Sequence, residues 1–208
     1  MSGTARGPRE RMVYSAAQLV RSHGVAGTGV REVVARAEAP RGSFQHYFPG
    51  GKDQLVGEAL VWSGDFAAHW ATRYRDTTRH PTPAGLFAHL VRYWRDDLTA
   101  HRYERGCPVM ATAADLAGGD SAVNEQLRAA TERWETAVAD ELARMEVPRS
   151  RARSLATLML SALEGAIMLA RVHRDVGRLD TVVAELSPLL RSQVPAARRR
   201  RAAAAPDR

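Results

Sequence analysis

The sequence predicts an all-α protein in which three short N-terminal helices precede a larger helical bundle. Apolar residues recur every three or four positions through most of the 208 residues, which is the spacing of a helix face. No segment alternates between apolar and polar residues as a half-buried strand does, and no internal repeat is present. Pro and Gly divide the helical segments from one another.

The first two helices follow from their apolar stripes and their ends. The first is expected over about Arg9–His23, because Gly24 is a favoured residue just beyond a helix end. Its buried stripe is Met12, Val13, Ala16, Ala17, Leu19 and Val20. The second begins after Thr28 and Gly29, which can both cap a helix, and its apolar face is Val30, Val33, Val34 and Ala37.

A third, short helix is expected over Pro40–Tyr47, since Pro ends the preceding helix but can occupy the first turn of a new one. Phe44 and Phe48 anchor it inward, and its outer face carries Arg41, Gly42, Ser43, Gln45 and His46. Two helices joined by a turn of three or four residues form a helix-turn-helix. An outer face of cationic and hydrogen-bonding groups suits the major groove of DNA.

Six further helices are expected after the Pro49-Gly50-Gly51 break. Their approximate ranges are 52–74, 83–100, 107–116, 121–145, 150–173 and 180–190, with Gly118-Gly119 closing the third of them. The domain organisation is therefore a flexible arm (1–8), a helix-turn-helix domain (9–51), a helical body (52–194) and a disordered Arg-rich tail (195–208).

The positive charge is concentrated at the two ends of the chain. Of the formal net charge of +7, residues 1–52 hold eight Arg or Lys against three Asp or Glu, and residues 196–208 hold five Arg against one Asp. The remaining residues are slightly acidic. A basic end on a near-neutral body is typical of a DNA-binding module attached to a domain that does not bind DNA.

Several simpler features limit the class of protein. Cys107 is the only cysteine, so no internal disulfide forms, and a small buried hydrophobe is favoured over an oxidation sensor. No signal-peptide pattern opens the chain, and the longest apolar run, Leu155–Ala170, contains Glu164 and is short for a membrane span. We therefore expect a soluble cytoplasmic protein that needs no cofactor or metal and has no membrane partner.

The motifs around the helix-turn-helix resemble the TetR family of one-component repressors over about residues 10–60. The matching positions are Thr28, Val30, Glu32, Val33, Val34, Ala37, Gly42-Ser43-Phe44, Tyr47-Phe48, Pro49-Gly50-Gly51-Lys52-Asp53 and Leu55. The Phe-Pro-Gly-Gly-Lys end and the Gly106-Cys107-Pro108 segment are similar to the branch of lincomycin- and flavonoid-responsive regulators. Gln45 departs from the pattern where the family usually has Tyr, and Gly29 where it usually has Ser or Thr.

Side-chain chemistry and the resemblance together indicate the DNA contacts. Arg41 can fork onto guanine or onto phosphate. Gln45 can read adenine or, in the family's Tyr position, contact phosphate. Lys52 begins the fourth helix, where its charge and the helix N-terminus both favour phosphate. The expected contacts with double-stranded DNA are Thr28, Arg31, Arg41, Gly42, Ser43, Gln45, His46, Tyr47 and Lys52.

A homodimer is expected because one short helix cannot supply operator-level specificity, whereas a symmetric pair reads two half-sites. The resemblance implies that the last two helices pair with those of a second subunit as a four-helix bundle. The expected dimer contacts are Ala162, Ala166, Ala170, Val182, Val183, Leu186 and Leu190. The same residues also fit burial within their own subunit.

The resemblance further implies a pocket in the body for a small, largely apolar effector, which releases DNA by population shift. The candidate lining is Trp62, Phe66, Trp70, Phe87, Trp94, Met110, Trp134, Met159 and Leu163, although the same spacing fits ordinary core packing. Glu164 and His173 interrupt the apolar eighth helix and are candidate polar anchors.

Two other functional classes compete with a ligand-responsive repressor. An enzyme is disfavoured because no metal, nucleophile-elbow or phosphate-loop motif is present, and Asp96-Asp97 with His101 fits a solvated helix end. A non-specific DNA-binding protein is the nearer alternative, and it would not distinguish a native promoter from a random duplex. The Arg198–Arg201 run fits either a DNA clamp or a solvated tail.

Overall fold

The computed structural model describes residues 7–115 and 122–193; the expected Gly118-Gly119 break, the Arg-rich tail and most of the expected N-terminal arm lie outside the described residues. Within the described ranges every regular element is helical, which confirms the all-α prediction. The helices are α1 (Pro8–His23), α2 (Val30–Arg36), α3 (Ser43–Tyr47), α4 (Gly51–Asp76), α5 (Pro83–Ala100), α6 (Pro108–Asp115), α7 (Ala122–Arg144), α8 (Arg149–His173) and α9 (Gly177–Ser192).

The start of α3 differs from the prediction. Pro40 does not open this helix but begins a turn, in which the Ser43 amide donates to the Pro40 carbonyl at 3.1 Å. Gly42 occupies the left-handed region with φ +87° and forms the N-cap. A residue at that φ cannot belong to a right-handed helix, so α3 is reduced to five residues.

The chain divides into two compact units that do not follow the predicted boundary at residue 51. Unit 1 comprises Met1–Phe66 and Arg105–Arg133, and unit 2 comprises Ala67–Glu104 and Trp134–Arg208. The long helices α4 and α7 each contribute residues to both units. The sequence boundary fell at a Pro-Gly break, but α6 packs on α1 and therefore belongs with the N-terminal helices.

Unit 1 contains the hydrophobic core of the helix-turn-helix. The predicted stripes of the first two helices meet Phe48 and the start of α4 there, and the core residues are Met12, Val13, Ala16, Ala17, Leu19, Val33, Ala37, Phe48, Leu55 and Ala59. Full burial of a Leu, Met or Phe side chain contributes about 1.5–3 kcal/mol. This core therefore fixes helices that are individually too short to be stable in water.

Unit 2 is built on α5, α8 and α9, which pack against one another. Thr82 caps α5 by accepting a hydrogen bond from the Gly85 amide at 3.1 Å, and Pro83 occupies the first position of that helix. Leu86, Phe87, Leu98, Leu155, Met159, Leu163, Leu179 and Leu190 are fully enclosed. The apolar stripes predicted for these helices are thus confirmed as core.

Helix α8 is longer than its apolar run suggested. Among the described helices it has the length and the apolar composition that a membrane span requires, a test that core helices of soluble proteins also pass. Nine of its side chains are buried in the chain, from Ala152 to Ala170. Its hydrophobicity is therefore explained in large part by packing within unit 2.

Candidate nucleic-acid interface

The turn between α2 and α3 is held by a side chain from α1. Arg11 donates from Nε to the Ala37 carbonyl at 2.7 Å and from Nη2 to the Glu38 carbonyl at 3.2 Å. Glu38 has a φ of +49°, which is costly for a residue with a Cβ. The charged donor satisfies the carbonyls of this bend and so stabilises the geometry that sets α2 against α3.

Recognition helix α3 is anchored through the residue that ends it. None of its five residues is buried, but Phe48 at its C-cap is 0% exposed. The Phe44 ring stacks on that of Phe48 with centroids 5.4 Å apart, and Tyr47 also packs against the core of unit 1. The opposite side of the element leaves Arg41, Gln45 and His46 exposed, as the sequence predicted.

Two polar side chains of α3 already make internal hydrogen bonds. Ser43 donates from Oγ to the Pro40 carbonyl at 2.7 Å, and Gln45 donates from Nε2 to the Pro49 carbonyl at 3.2 Å. The Gln45 amide retains one N–H and its carbonyl oxygen for another partner. Gln45 is thus tied to the turn after α3 while keeping both kinds of hydrogen-bonding group that base or phosphate recognition needs.

The start of α4 is ordered by a chain of polar contacts around Lys52. The Gly50 amide donates to Gln54 Oε1 at 2.9 Å, and Gln54 Nε2 donates to Glu58 Oε1 at 3.0 Å. Arg9 pairs with the same Glu58 oxygen at 2.7 Å. Lys52 lies in the first turn of α4, where its charge adds to the positive end of the helix dipole, a combination suited to a phosphate.

Thr28 does not lie on this surface. It is 2% exposed, and its Oγ1 donates to the Gly24 carbonyl at 2.6 Å. The prediction that its side chain contacts DNA is corrected accordingly: Thr28 shapes the turn between α1 and α2. Arg31 is exposed in the first turn of α2 and remains a candidate for phosphate contact.

The nine residues predicted to line an effector pocket are divided between the units. Trp62, Phe66 and Met110 belong to unit 1, and Trp70, Phe87, Trp94, Trp134, Met159 and Leu163 belong to unit 2. Trp62 packs against the core of the helix-turn-helix and stacks on Phe66. Met110 is 48% exposed. For these residues of unit 1, the spacing reflects other packing or surface positions as much as a pocket.

The unit 2 residues include a cluster of stacked rings. His89 lies 5.0 Å from Trp70, centroid to centroid, and donates from Nε2 to the Trp70 carbonyl at 3.2 Å. Tyr93 contacts the same indole at 5.1 Å. Burial lowers the pKa of His89, the backbone hydrogen bond opposes this effect, and the charges of Arg92 and Arg73 add to the lowering.

Trp134 presents an unusual polar atom within unit 2. The residue is buried, and within the described part of the chain no group accepts a hydrogen bond from its Nε1. A buried N–H without an acceptor is unfavourable, so its position favours a bound acceptor. Glu164 is half-buried and His173 exposed, so of the two predicted polar anchors only Glu164 lies partly inside the protein.

The predicted dimer residues occupy different environments. Ala166, Ala170 and Leu190 are already buried by their own chain, whereas Ala162, Val182, Val183 and Leu186 are half-buried. The face of α8 left uncovered carries larger apolar residues that the sequence analysis did not select: Leu158, Met168, Leu169 and Val172. Their spacing was visible, but alanine spacing directed attention to the inner face.

Two minor sequence hypotheses also have a structural outcome. Cys107 is buried, as expected of a small hydrophobe. His101 lies at the end of α5, where its Nδ1 is 2.8 Å from the Asp97 carbonyl and 3.4 Å from the Asp97 Oδ1. This acidic and histidine pair is therefore a contact between successive turns at a helix end.

Comparison with known sequences agrees with this architecture. The family profile of bacterial regulatory proteins of the tetR family matches residues 14–59, and the profile of the C-terminal domain of LmrA/YxaF-like transcriptional regulators matches residues 83–185. An HTH-type transcriptional regulator of Mycobacterium tuberculosis is 38% identical, with 91% of this chain and 97% of the relative covered. The regulator YxaF of Bacillus subtilis is 31% identical, with 90% and 97% covered.

Solved structures show the same fold. The regulatory protein TetR from Rhodobacter sphaeroides has a TM-score of 0.75 at 18% identity, with 87% of this chain and 97% of that chain covered. A TetR transcriptional regulator from Legionella pneumophila has a TM-score of 0.72 at 19% identity, with 91% and 98% covered. The matching relatives are named as transcriptional regulators and not as enzymes. With both profiles matched and the helix-turn-helix in place, the chain belongs to the TetR family of transcriptional regulators.

Proposed function

We propose that the protein is a cytoplasmic repressor that binds a palindromic operator as a homodimer and is released by a small, largely apolar effector. The observation that carries the proposal is the surface formed by α3 and the start of α4. Arg41, Gln45 and His46 are exposed there on a helix anchored from behind by Phe48, beside Lys52 at a helix N-terminus. Cations, base-reading groups and a positive helix end on one surface suit phosphate and base contacts together.

The uncovered face of α8 supports the dimer. Met168 is 58% exposed and Val172 is 71% exposed, and both follow Leu158 and Gly165 along one side of the helix. Large apolar side chains grouped on one face mark an interaction surface. The half-buried Val182, Val183 and Leu186 of α9 extend the apolar surface available to a second copy. In a two-fold dimer each such patch meets its own copy, which also provides two recognition helices.

Trp134 and the aromatic residues of unit 2 support an effector site. An apolar molecule with an acceptor oxygen would satisfy the buried Nε1 of Trp134 and pack against neighbouring apolar side chains. Such a ligand releases DNA if it binds better to the conformation with badly spaced recognition helices. A panel that includes flavonoids and lincomycin is the first choice, with Trp fluorescence for binding and Trp134→Phe, which removes only the N–H donor, as the matched variant.

The experiment for DNA recognition compares Gln45→Ala with Lys52→Ala on two duplexes over a salt series. One duplex is the upstream fragment protected in a footprint, and the other is its scrambled version. Lys52→Ala should weaken both complexes alike and lower the salt slope by about one per phosphate contact, hence by about two for a symmetric dimer. Gln45→Ala should reduce the preference for the native duplex. Equal losses on both duplexes for both variants would remove Gln45 as a base contact.

The same salt series separates the proposal from non-specific DNA binding. A specific repressor binds its operator about 10³-fold or more tightly than random DNA. A non-specific protein holds both duplexes with equal affinity and equal salt dependence. Equal affinity of the unaltered protein for its own upstream DNA and for scrambled DNA would therefore favour the alternative.

A further inference from the structure

Helix α6 is attached at its N-terminal side to the end of α1. Arg21 donates from Nε to the Gly106 carbonyl at 2.9 Å, and the Gly106 amide donates to the Arg21 carbonyl at 2.9 Å. Arg21 is 6% exposed, and its Nη1 also donates to Gln18 Oε1 at 3.3 Å. A guanidinium keeps its charge at every physiological pH, so a buried one needs these acceptors and is costly to displace.

The C-terminal end of α6 holds the turn that leads into the helix-turn-helix. Asp115 accepts a hydrogen bond from the Ala26 amide through Oδ2 at 3.0 Å. Gly24 has a φ of +72°, and a Cβ at this position would lie 2.5 Å from the same oxygen. The Gly24 carbonyl in turn accepts from Thr28. The turn of residues 24–29 is thus shaped by a carboxylate that lies outside the three N-terminal helices.

The residues just before this attachment are held by the end of α8 in unit 2. Arg171 donates to the Tyr103 and Glu104 carbonyls at 3.4 and 3.3 Å, and Arg174 donates to the Arg102 carbonyl at 3.1 Å. Arg102 and Tyr103 are consecutive residues with φ of +52° and +65°. Two adjacent left-handed residues with side chains persist only where the surroundings fix them. One short backbone segment is therefore fastened in unit 2 and, two residues later, in unit 1.

We propose that α6 is a positioning arm for the DNA-reading helices, with Arg21 and Asp115 as its positioning residues. Through Gly106 and Asp115 it sets the end of α1 and the turn before α2. Through residues 102–104 the same backbone continues to the end of α8, so a change there reaches the DNA-binding helices along the chain. This inference rests on the proposed function as an operator-binding repressor and assigns a role to the Gly106-Cys107-Pro108 motif.

The test uses three variants with the same change in charge. Asp115→Ala removes the acceptor for the Ala26 amide, Asp115→Asn keeps an acceptor oxygen, and Glu132→Ala changes an exposed carboxylate of unit 1. The readout is the ratio of affinities for the footprinted duplex and its scrambled version, with the melting temperature measured in parallel. Asp115→Ala should lower the ratio by about three- to tenfold, from loss of one hydrogen bond, while the other two keep the wild-type ratio. A wild-type ratio for Asp115→Ala would overturn the proposal.

Hydrogen exchange on the full-length wild type makes the test independent of folding defects in the variants. Adding the footprinted duplex should slow exchange at the Ala26 and Gly106 amides by about threefold or more, whereas the scrambled duplex should not. Unchanged exchange at both amides, with operator preference intact, would overturn the positioning arm alone. Absence of operator preference in the wild type would refute the proposed function itself.

Discussion

Replacement of Phe48 by Ala should destabilise the protein strongly and detach the recognition helix from its support. The side chain is 0% exposed, its ring stacks on Phe44 at 5.4 Å, and the Arg9 guanidinium lies 5.4 Å from its centroid. Truncation of a buried Phe costs about 3–5 kcal/mol from lost transfer energy and the remaining cavity. Since α3 has five residues and an isolated helix of that length is unstable, the loss falls directly on its anchoring.

The measurement is the free energy of unfolding in urea, followed by circular dichroism at constant protein concentration. Met110→Ala is the control, because that side chain is 48% exposed on α6 and its removal should change stability by less than about 0.5 kcal/mol. A loss below about 1 kcal/mol for Phe48→Ala, or equal losses for the two variants, would contradict the anchoring of α3 by Phe48.

Three further substitutions test single features. Gly42→Ala should cost about 1–2 kcal/mol and weaken DNA binding, because φ is +87° while no atom lies within 4 Å of the new Cβ; wild-type stability in urea would show that the turn adopts another conformation. Burial lowers the pKa of His89, so the folded state binds fewer protons and the free energy of unfolding should fall as the pH drops below about 6.5; His89→Phe keeps the stacking and should remove this dependence in urea titrations between acidic and neutral pH. Burial raises the pKa of Glu141, against the opposing charges of Arg75 and Arg144, so the folded state retains a proton and stability should fall as the pH rises above about 4.5; Glu141→Gln should flatten that slope, and parallel curves for variant and wild type would contradict the assignment.

Helix positions could be predicted from the sequence because apolar spacing and Pro or Gly breaks act locally. The start of α3 was misplaced for a local reason as well: Pro40 is compatible with a helix start and with a turn, and the left-handed Gly42 decides between them. The two faces of α8 raise a different difficulty. Both faces carry apolar residues, so spacing alone could not show that Ala166 is internal and Met168 external.

The polar contacts that organise unit 1 could not be predicted, because their partners are distant in sequence. Arg21 and Gly106 are separated by 85 positions, and Ala26 and Asp115 by 89. In the sequence Arg21 and Asp115 appear as ordinary charged residues of helix ends. Thr28 matched the resemblance as a DNA contact, but its hydroxyl serves the α1–α2 turn. Exposed groups such as Arg41 and Gln45 were predicted correctly as exposed because they lie opposite the apolar anchors.

The most direct measurement of the central claim is a hydroxyl-radical footprint on the DNA upstream of the gene, combined with the mass of the protein–DNA complex in solution. The account predicts two protomers per site and a protection pattern with two-fold symmetry, with half-sites separated by about one helical turn or a multiple of it. Protection spread evenly along any duplex, or a single protomer bound to an asymmetric site, would contradict it.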